Sequence, residues 1–577
     1  MKQVWKGIVS TVLAAVMLLN VASTVKGDSL TQCGQSVPDK SCPWPTRYEG
    51  ASPRPTTIPA LREWTAASGS FQIGSNSRIL IRPKDVPELR SDTRTFADDL
   101  EAMTGNATRV VVTKADPEPG DVLLELRSTD NEIGDEGYNL TVGAYVKIKA
   151  NTSTGAFYGT RTLLQLLRQY PSVPAGEARD WPRYSERGLM IDIARNYYSY
   201  DWLAERVRDM AYLKLNYLHL HFTDDQGWRI QSDQGLHSSE FLTKKQIRSL
   251  VKLAESYHIT VVPEIDMPGH MGWALKSHPE FQLKDANGFV IPNKIDYSIP
   301  EAREFLFTLV EEYLTLFPGQ YWHMGADEFL GEAEFDNFPQ LEQYAKQTYG
   351  PLATAKDGIH GLINEINALV RAQGKTLRVW NDTLTLGYTV PVDKNVNVDW
   401  WTDLNTPIPS TNPMSPQELL LEGYNVQNAS FWPTYDYNDI GSPPPPSIKG
   451  MYEVWAVQRF HGFVYFDETA SAAPFSDIDP AEPQNLGSVV HFWNDGNEND
   501  YTEAQTAASI FPRLRVMAQK TWESAPLVTT YVEFQPIIES VGSATYGQSA
   551  DAEFQPTIES VGSATYGRPV DAGAKRN

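Results

Sequence analysis

The chain has 577 residues, enough for two to four domains, and its 72 acidic and 49 basic side chains give a formal net charge of −23. An acidic chain repels phosphate groups, which argues against nucleic acids and anionic membrane surfaces as partners. Fifteen tryptophans and 27 tyrosines suit either a large core or stacking on sugar rings, and composition alone does not separate the two.

Residues 1–23 have the pattern of a secretory signal. Lys2 and Lys6 precede an almost wholly apolar run over residues 8–21, and small residues follow it. The run falls short of the roughly 20 residues that a membrane span needs, which disfavours the alternative of a signal anchor. We therefore expect a secreted, extracellular protein with no membrane association once the signal is removed.

Residues 24–55 form an N-terminal extension that holds the only two cysteines, Cys33 and Cys42. In an exported chain we expect them to form a disulfide bond that ties down this extension. Sequons of the type Asn-x-Ser/Thr predict a glycoprotein if the host is eukaryotic. They lie at Asn106, Asn139, Asn151, Asn381 and Asn428.

Residues 56–182 are predicted to form a small α/β accessory domain. Short apolar strands accompany two stretches whose apolar residues recur at helical spacing. Phe96, Leu100 and Met103 mark the first helix, which ends at Gly105. The second helix spans 154–168, and the strands are 78–82, 109–112, 122–126, 138–142 and 146–148.

From residue 183 to 525, short apolar strands alternate with longer helical segments. Eight strand-then-helix units predict a (β/α)8 TIM barrel as the catalytic domain. In such barrels the chemistry takes place at the carboxyl ends of the strands. The eight predicted strands are 189–193, 217–222, 260–263, 322–325, 377–380, 396–401, 425–430 and 488–493.

Residues 526–577 contain two nearly identical 20-residue repeats, 533–552 and 553–572. Two copies are too few for a solenoid, so we expect a flexible tail, with a surface-binding tail as the alternative. Four consecutive prolines within 442–447 predict a stiff polyproline loop before the last strand of the barrel.

Asp327 and Glu328 stand side by side where the fourth predicted strand ends. Adjacent residues of a strand point to opposite faces, so both carboxylates reach one pocket only if the chain turns there. An acid with a raised pKa beside an ionised partner can perform proton transfer, whereas packing gives no reason for two acids. Other predicted strands also begin or end with polar or aromatic residues, among them Arg187, Asp224, His270, Trp380, Trp400, Trp401 and Trp493.

Three ordered motifs carry a specific resemblance. They are His-x-Gly-x-Asp-Glu at 323–328, Thr-Asp-Asp-Gln-Gly-Trp-Arg at 223–229 and Pro-Glu-Ile-Asp-Met-Pro-Gly-His at 263–270. Together they resemble glycoside hydrolase family 20, the β-N-acetylhexosaminidases. Segment 155–163 also resembles the closing helix of that family's accessory domain, and the resemblance covers roughly residues 56–520.

The resemblance implies retaining hydrolysis without an enzyme nucleophile, in which the 2-acetamido oxygen of the substrate attacks the anomeric carbon. Glu328 would protonate the leaving oxygen and then deprotonate the incoming water. Asp327 would hold the acetamido N–H and stabilise the positive charge of the oxazolinium ion. The implied activity is exo-acting β-N-acetylhexosaminidase on oligosaccharides or glycoconjugates, with no cofactor and no metal.

The same resemblance implies supporting residues around the pair. His270 would contact Glu328, and Asp224 would orient His270. Arg187 would bind the O3 and O4 hydroxyls of the sugar. Tyr435 would donate its hydroxyl to the acetamido oxygen, with a neighbouring tyrosine, Tyr437, as the alternative. The pocket walls would be Trp380, Trp493 and one of Trp400 and Trp401, which alternation places on opposite faces.

One departure from the family pattern leaves the released unit open. Many members have Trp-x-Glu at the last strand, whereas this chain has Trp493-Asn494-Asp495. The lacto-N-biosidases, which release a galactosyl-N-acetylglucosamine disaccharide, also carry Asp there. We favour release of a monosaccharide and keep the disaccharide as the alternative. The natural substrate, its linkage, the choice of N-acetylhexosamine and the oligomeric state stay open.

Two hypotheses come from other classes. One is a carbohydrate-binding protein on a catalytically silent barrel, which the intact pair of Asp327 and Glu328 disfavours. The other is a retaining glycosidase in which a more distant carboxylate, Glu264, is a covalent nucleophile.

Overall fold

The computed structural model describes residues 54–402, 412–437, 447–461, 476–495 and 501–544. The predicted signal, the two cysteines, the four consecutive prolines and the second copy of the repeat lie outside these ranges. In the described part of the chain, no helix is both long enough and apolar enough to cross a membrane.

The first domain is one seven-stranded sheet with two helices. Its elements are β1 (Glu63–Phe71), β2 (Arg78–Ile81), α1 (Val86–Thr104), β3 (Arg109–Val112), β4 (Val122–Leu126), β5 (Tyr138–Val142), β6 (Val146–Ala150), α2 (Ser153–Gln169) and β7 (Val173–Asp180). The strand order is β1-β7-β5-β6-β4-β2-β3. Helix α2 packs against both this sheet and the next domain, and its residues 155–166 are therefore all buried.

The second domain is a closed barrel of eight parallel strands, which confirms the predicted fold. The barrel strands lie in chain order around the axis, and β20 closes the ring by pairing with β16 and β8. Strands β11, β12, β17, β18 and β19 are additions to the barrel. The strands are β8 (Glu186–Asp192), β9 (Tyr217–His221), β10 (Thr260–Met267), β11 (Gln282–Lys284), β12 (Val290–Ile295), β13 (Tyr321–Gly325), β14 (Thr376–Trp380), β15 (Asn397–Trp400), β16 (Asn425–Asn428), β17 (Tyr435–Tyr437), β18 (Arg459–Phe460), β19 (Ser476–Asp477) and β20 (Asn485–Trp493).

The helices of this domain begin where the sequence supplies a cap. Thr243, for example, forms a capping box with Gln246 at the start of α4. The helices are α3 (Tyr200–Tyr212), α4 (Lys244–Ser256), α5 (Gly272–Leu275), α6 (Pro300–Leu314), α7 (Pro339–Tyr349), α8 (Ala355–Ala372), α9 (Pro416–Glu422), the irregular α10 (Phe431–Thr434), α11 (Ile448–Glu453), α12 (Glu503–Trp522) and α13 (Tyr531–Val541).

Helix α13 (Tyr531–Val541) covers the beginning of the first copy of the tail repeat, and the prediction of a flexible tail is wrong for this part. Phe534, Ile538 and Val541 form an apolar stripe at helical spacing, and all three are buried. The hydroxyl of Tyr212 donates to the carbonyl oxygen of Val541 at 2.8 Å. This stripe gives the helix an apolar face that packs on the protein. The number of repeats, from which the flexible tail was predicted, carries no information about such a face.

The five sequons differ in exposure. Asn381 and Asn428 are fully buried, so a glycan at either position does not fit the folded chain. Asn106 is exposed, and Asn139 and Asn151 are partly exposed. Only the three residues of the first domain remain candidates for glycosylation.

Candidate active site

Strand β13 ends in a turn that brings two acidic side chains to the mouth of the barrel. Gly325, Ala326 and Glu328 all have positive φ values, 71°, 70° and 47°. A Cβ atom on Gly325 would lie 1.7 Å from Oδ1 of Asp266, so only glycine fits there. This turn breaks the alternation of the strand and lets Asp327 and Glu328 reach the same pocket.

The imidazole of His270 connects the acidic pair to a buried carboxylate. Its Nε2 lies 3.3 Å from Oε2 of Glu328 and 3.6 Å from Oδ2 of Asp327. Its Nδ1 lies 3.3 Å from Oδ1 of Asp224, which is fully buried. The structure thus brings together Glu328, Asp327, His270 and Asp224, which the sequence motifs predicted to lie in one site.

Charge is distributed unequally within this group. Burial disfavours the imidazolium, but the carboxylates of Asp224 and Asp327 outweigh it and hold the pKa of His270 well above its usual value. Burial also favours a neutral Glu328, yet the hydrogen bond and charge of His270 lower the pKa of Glu328 below its usual value. These shifts place the proton of this group on His270 rather than on Glu328.

Asp327 lies in a different electrostatic environment. Burial raises the pKa of Asp327 to about 6, the charges of Glu264 and Glu328 add to this effect, and the charge of His270 opposes it. Burial and the neighbouring Asp327 raise the pKa of Asp266 well above its usual value. This shift favours the neutral form of Asp266, whose side chain lies against Gly325 in the turn.

The chain of contacts continues below Asp224 into the barrel. His221 lies between two carboxylates, with Nε2 2.9 Å from Oδ2 of Asp224 and Nδ1 2.7 Å from Oε2 of Glu264. Oε1 of Glu264 accepts the indole N–H of Trp380 at 2.8 Å. Because Glu264 is fully buried and both oxygens are engaged, the hypothesis that it acts as a covalent nucleophile is wrong.

His219, Glu264 and His323 also lie close enough to hold a cation, with ligand atoms all within 4.8 Å of one another. The Glu264 oxygens, however, already face nitrogen atoms of Trp380 and His221. These contacts provide the carboxylate with partners without an ion, and we assign no metal to this group.

Arg187 does not lie in this site, so its predicted role in sugar binding is wrong. It lies near the amino end of β8, whereas the acids lie at the carboxyl ends of the strands. Its guanidinium is fully buried and donates to both carboxylate oxygens of Glu136, in the first domain, at 2.8 and 2.9 Å. Arg187 therefore joins the two domains.

Arg195, which the sequence reasoning missed, is the arginine at the barrel mouth. Its guanidinium nitrogens lie 2.9 Å from Asp192, 2.8 Å from Asp224 and 3.2 Å from Asp495. The Asp495 side chain is 55 % exposed, so a ligand can approach this ion pair. The available signal was position: Arg195 follows the carboxyl end of β8, where barrel chemistry is placed.

An aromatic wall surrounds the acidic pair. Trp380 and Trp493 have ring centroids 5.9 Å apart at 50°, and Tyr435 lies 5.9 Å from Trp493. Trp401 belongs to the same buried cluster. These rings present apolar surface beside charged groups, the combination that suits an amphipathic sugar.

Trp400 faces away from this wall. Its indole N–H donates to the carbonyl oxygen of Met414 at 3.1 Å, and its ring contacts Phe460. The prediction that Trp400 lines the pocket is therefore wrong, and the choice between the adjacent tryptophans falls on Trp401.

Tyr435 and Tyr437 lie on the short strand β17, which pairs with the end of β20. Burial, and next the charge of Asp327, raise the pKa of Tyr435 well above its usual value. Tyr437 packs on Phe431, with ring centroids 5.9 Å apart.

Comparison with protein-family models identifies both domains. Residues 184–525 match "Glycosyl hydrolase family 20, catalytic domain", and residues 54–181 match "Glycosyl hydrolase family 20, domain 2". These matches confirm the resemblance that the sequence motifs carry.

Curated relatives include a lacto-N-biosidase of Bifidobacterium bifidum, 31 % identical over 542 residues, which span 90 % of this chain and 45 % of that protein. A beta-hexosaminidase of Porphyromonas gingivalis is 29 % identical over 81 % of this chain and 60 % of its own length. The chain thus spans about half the length of the curated relatives it matches.

Solved structures agree on the fold. The chitobiase of Flavobacterium johnsoniae has a TM-score of 0.66 at 25 % identity and covers 84 % of this chain and 72 % of its own. The β-N-acetylhexosaminidase of Streptomyces coelicolor has a TM-score of 0.64 at 24 % identity, and the match covers 87 % of this chain and 99 % of that one. The chain belongs to glycosyl hydrolase family 20.

Proposed function

We propose that this chain is an exo-acting β-N-acetylhexosaminidase that removes a terminal β-linked N-acetylhexosamine by substrate-assisted, retaining hydrolysis. One observation carries the proposal: the turn after β13 directs Asp327 and Glu328 into one pocket, where His270 contacts both. Both carboxylates contact the same imidazole nitrogen, so they lie on one side of the site rather than flanking a scissile bond, as the two-carboxylate mechanisms require. They suit a reaction in which the substrate supplies the nucleophile.

Asp327 orients that nucleophile. An ionised Asp327 accepts the acetamido N–H and stabilises the positive charge that develops as the acetamido oxygen attacks. Tyr435 donates to the same oxygen from the opposite side. Holding the acetamide in an attack geometry can supply roughly 7–11 kcal/mol through effective molarity.

Glu328 acts as the general acid and then the general base. Its side chain is 32 % exposed, and a sugar that covers it removes water and favours the neutral form. The proton comes from His270, 3.3 Å away, and passes to the departing oxygen. Acid–base help of this kind is worth roughly 10²–10⁴-fold.

Arg195 and Asp495 complete the pocket at the sugar hydroxyls. The guanidinium is fixed by three carboxylates, while the Asp495 carboxylate remains accessible. Such a pair offers a donor and an acceptor to neighbouring ring hydroxyls. Trp493 lies under Arg195, 5.6 Å from the guanidinium carbon, and provides the stacking face.

An assay of aryl N-acetyl-β-glucosaminide against aryl β-glucoside tests this proposal. We expect hydrolysis of the first and none of the second, because the second lacks the acetamide. A thiazoline mimic of the oxazoline should inhibit. Sugar binding without hydrolysis would instead support a silent binding protein.

Release of a disaccharide is the second candidate. Two observations favour it: Asp495 replaces the longer glutamate, and the lacto-N-biosidase relative aligns over 90 % of this chain. Parallel assays of an aryl N-acetylglucosaminide and an aryl lacto-N-bioside decide between the two. Preference for the lacto-N-bioside by more than tenfold would assign the disaccharide.

We also propose export of the protein, on the strength of the apolar run over residues 8–21 behind Lys2 and Lys6. Activity should appear in the culture fluid of cells expressing the full chain. It should stay inside cells that express a chain without residues 1–23.

A further inference from the structure

Side chains outside the acidic pair hold the backbone of Glu328 from both sides. Its N–H donates to Oδ2 of Asp382 at 2.7 Å, and its carbonyl oxygen accepts from the ammonium group of Lys294. Glu328 has a φ of 47°, a left-handed conformation that residues other than glycine keep only when neighbours enforce it. These contacts therefore hold the conformation that directs the carboxylate at His270.

The second oxygen of Asp382 reaches the pocket wall. Oδ1 accepts the indole N–H of Trp401 at 3.1 Å, and Asp382 is 5 % exposed. Trp401 shares its cluster with Trp380 and Trp493. One buried carboxylate thus joins the backbone of Glu328 to a ring of the aromatic cluster that is proposed to hold the sugar.

The residues on either side of Asp382 strengthen this connection. Oδ1 of Asn381 accepts the backbone N–H of Trp401 at 2.8 Å. The hydroxyl of Thr383 donates to the carbonyl oxygen of Ala326. Three consecutive side chains after β14 therefore fix the catalytic turn on one side and the tryptophan of the next strand on the other.

We propose that Asp382 is a positioning residue that couples Trp401 to the general acid Glu328. A sugar seated against Trp401 fixes the indole, and Asp382 transmits that position to the backbone of Glu328. The inference rests on the proposed role of Glu328. A carboxylate is needed because each of its two oxygens accepts one N–H, whereas an amide offers only one acceptor oxygen.

The test is the dependence of kcat/KM on the leaving group in Asp382→Asn. The substrates are dinitrophenyl and phenyl glycosides of the unit that the wild type releases. A dinitrophenolate leaves with little acid assistance, and phenolate needs it. We expect Asp382→Asn to lose about 10²-fold on the phenyl glycoside, the scale of a 1 Å misplacement, and less than about threefold on the dinitrophenyl glycoside.

Asp357→Asn is the matched control, because this buried carboxylate also accepts a backbone N–H, from Val390 at 2.6 Å. It should lower the melting temperature and affect both substrates equally. Equal losses on both substrates in Asp382→Asn would overturn the coupling role. The coupling role would also be overturned if Asp382→Asn and Asp357→Asn had the same melting temperature and the same loss of kcat/KM on each substrate.

Trp401→Phe keeps Asp382 and removes one donor, so it carries the test if Asp382→Asn does not fold. It should show the same selective loss on the phenyl glycoside, and an unchanged leaving-group dependence would overturn the coupling. In the double variant the losses should be less than multiplicative.

Glu328→Gln separates the two levels of inference. A wild type that hydrolyses neither glycoside, or a Glu328→Gln variant without leaving-group dependence, contradicts the proposed function. If kcat/KM depends steeply on the leaving group in Glu328→Gln but not in Asp382→Asn, only the proposed role of Asp382 is contradicted.

Discussion

Nε2 of His270 lies 3.3 Å from Oε2 of Glu328, and the imidazolium holds the pKa of that carboxyl below its usual value. As the proposed general acid, Glu328 must therefore receive a proton when the substrate binds. The same imidazolium faces Asp327 at 3.6 Å. Its charge opposes the effect of burial on the pKa of both carboxyls, and we expect them to titrate as a coupled group.

The pH profile of kcat/KM should report this coupling. Asp327 must be ionised to stabilise the oxazolinium ion, and its pKa is about 6, so activity should fall as the pH drops through about 6. His270→Asn removes a positive charge that favours the ionised Asp327. The acid limb should therefore move to higher pH. His278→Asn, at a histidine paired with Glu280 on the surface, is the control and should leave the limb in place. A shift of the limb to lower pH in His270→Asn would contradict this assignment.

Replacing the acid should cost most where the leaving group is poor. Glu328→Gln should lower kcat/KM on a phenyl glycoside by roughly 10²–10⁴-fold and spare a dinitrophenyl glycoside. The matched variant Glu332→Gln changes an exposed glutamate that pairs with Lys356 and should leave both rates near those of the wild type. Equal losses on both substrates in Glu328→Gln would assign the acid elsewhere.

Asp327→Asn should be comparably harmful for a different reason. It keeps the shape of the side chain but removes the charge that balances the oxazolinium ion, so the loss should not depend on the leaving group. Inhibition by a thiazoline should weaken in parallel with kcat/KM. A variant that keeps tight thiazoline binding would show that Asp327 does not face the acetamido group.

The fold was predictable because buried parallel strands are rich in apolar residues, as residues 189–191 of β8 are. Strand β16 (Asn425–Asn428), with Val426 as its one apolar residue, carries this signal least. Strands β1 and β7 escaped prediction. Nearly every residue of strand β1 (Glu63–Phe71) is at least partly exposed. The strand therefore lacks the alternation of apolar and polar residues that predicts a half-buried strand. Strand β7 (Val173–Asp180) contains proline and glycine within a run of mixed polarity.

Within the site, residues that share a motif were predictable and residues that meet only in space were not. Asp327, Glu328 and His270 lie in recognisable motifs. Asp382 follows β14 and Lys294 lies in β12, and nothing local in the sequence marks either as a partner of Glu328. Arg187 lies at the start of strand β8, and only residues at the carboxyl ends of the strands reach the site of a barrel. Its predicted role was therefore wrong.

Arg187, near the start of β8, should affect stability, whereas Arg195, just after the end of β8, should affect activity. Arg187→Met removes the buried partner of Glu136 and should lower the free energy of unfolding by about 3 kcal/mol, with kcat/KM of the folded protein unchanged. Arg195→Lys keeps the charge but cannot span three carboxylates. It should lower kcat/KM by roughly 10–100-fold, as expected from losing a charged hydrogen bond, at a nearly unchanged melting temperature. The reverse pattern in thermal melts and kinetics would restore Arg187 to the site.

Helix α13 should contribute to the stability of the fold. A chain that ends at residue 544 keeps the helix, and a chain that ends at residue 529 loses it. Burying a side chain such as Phe534, Ile538 or Val541 is worth roughly 1.5–3 kcal/mol, so the shorter chain should unfold at clearly lower denaturant concentration. The chain that ends at residue 544 serves as the control and should unfold with the full-length protein, because the contacts of α13 remain. Identical unfolding midpoints for the two truncated chains would mean that the docked helix contributes nothing to stability. The tail would then be an appendage despite its buried stripe.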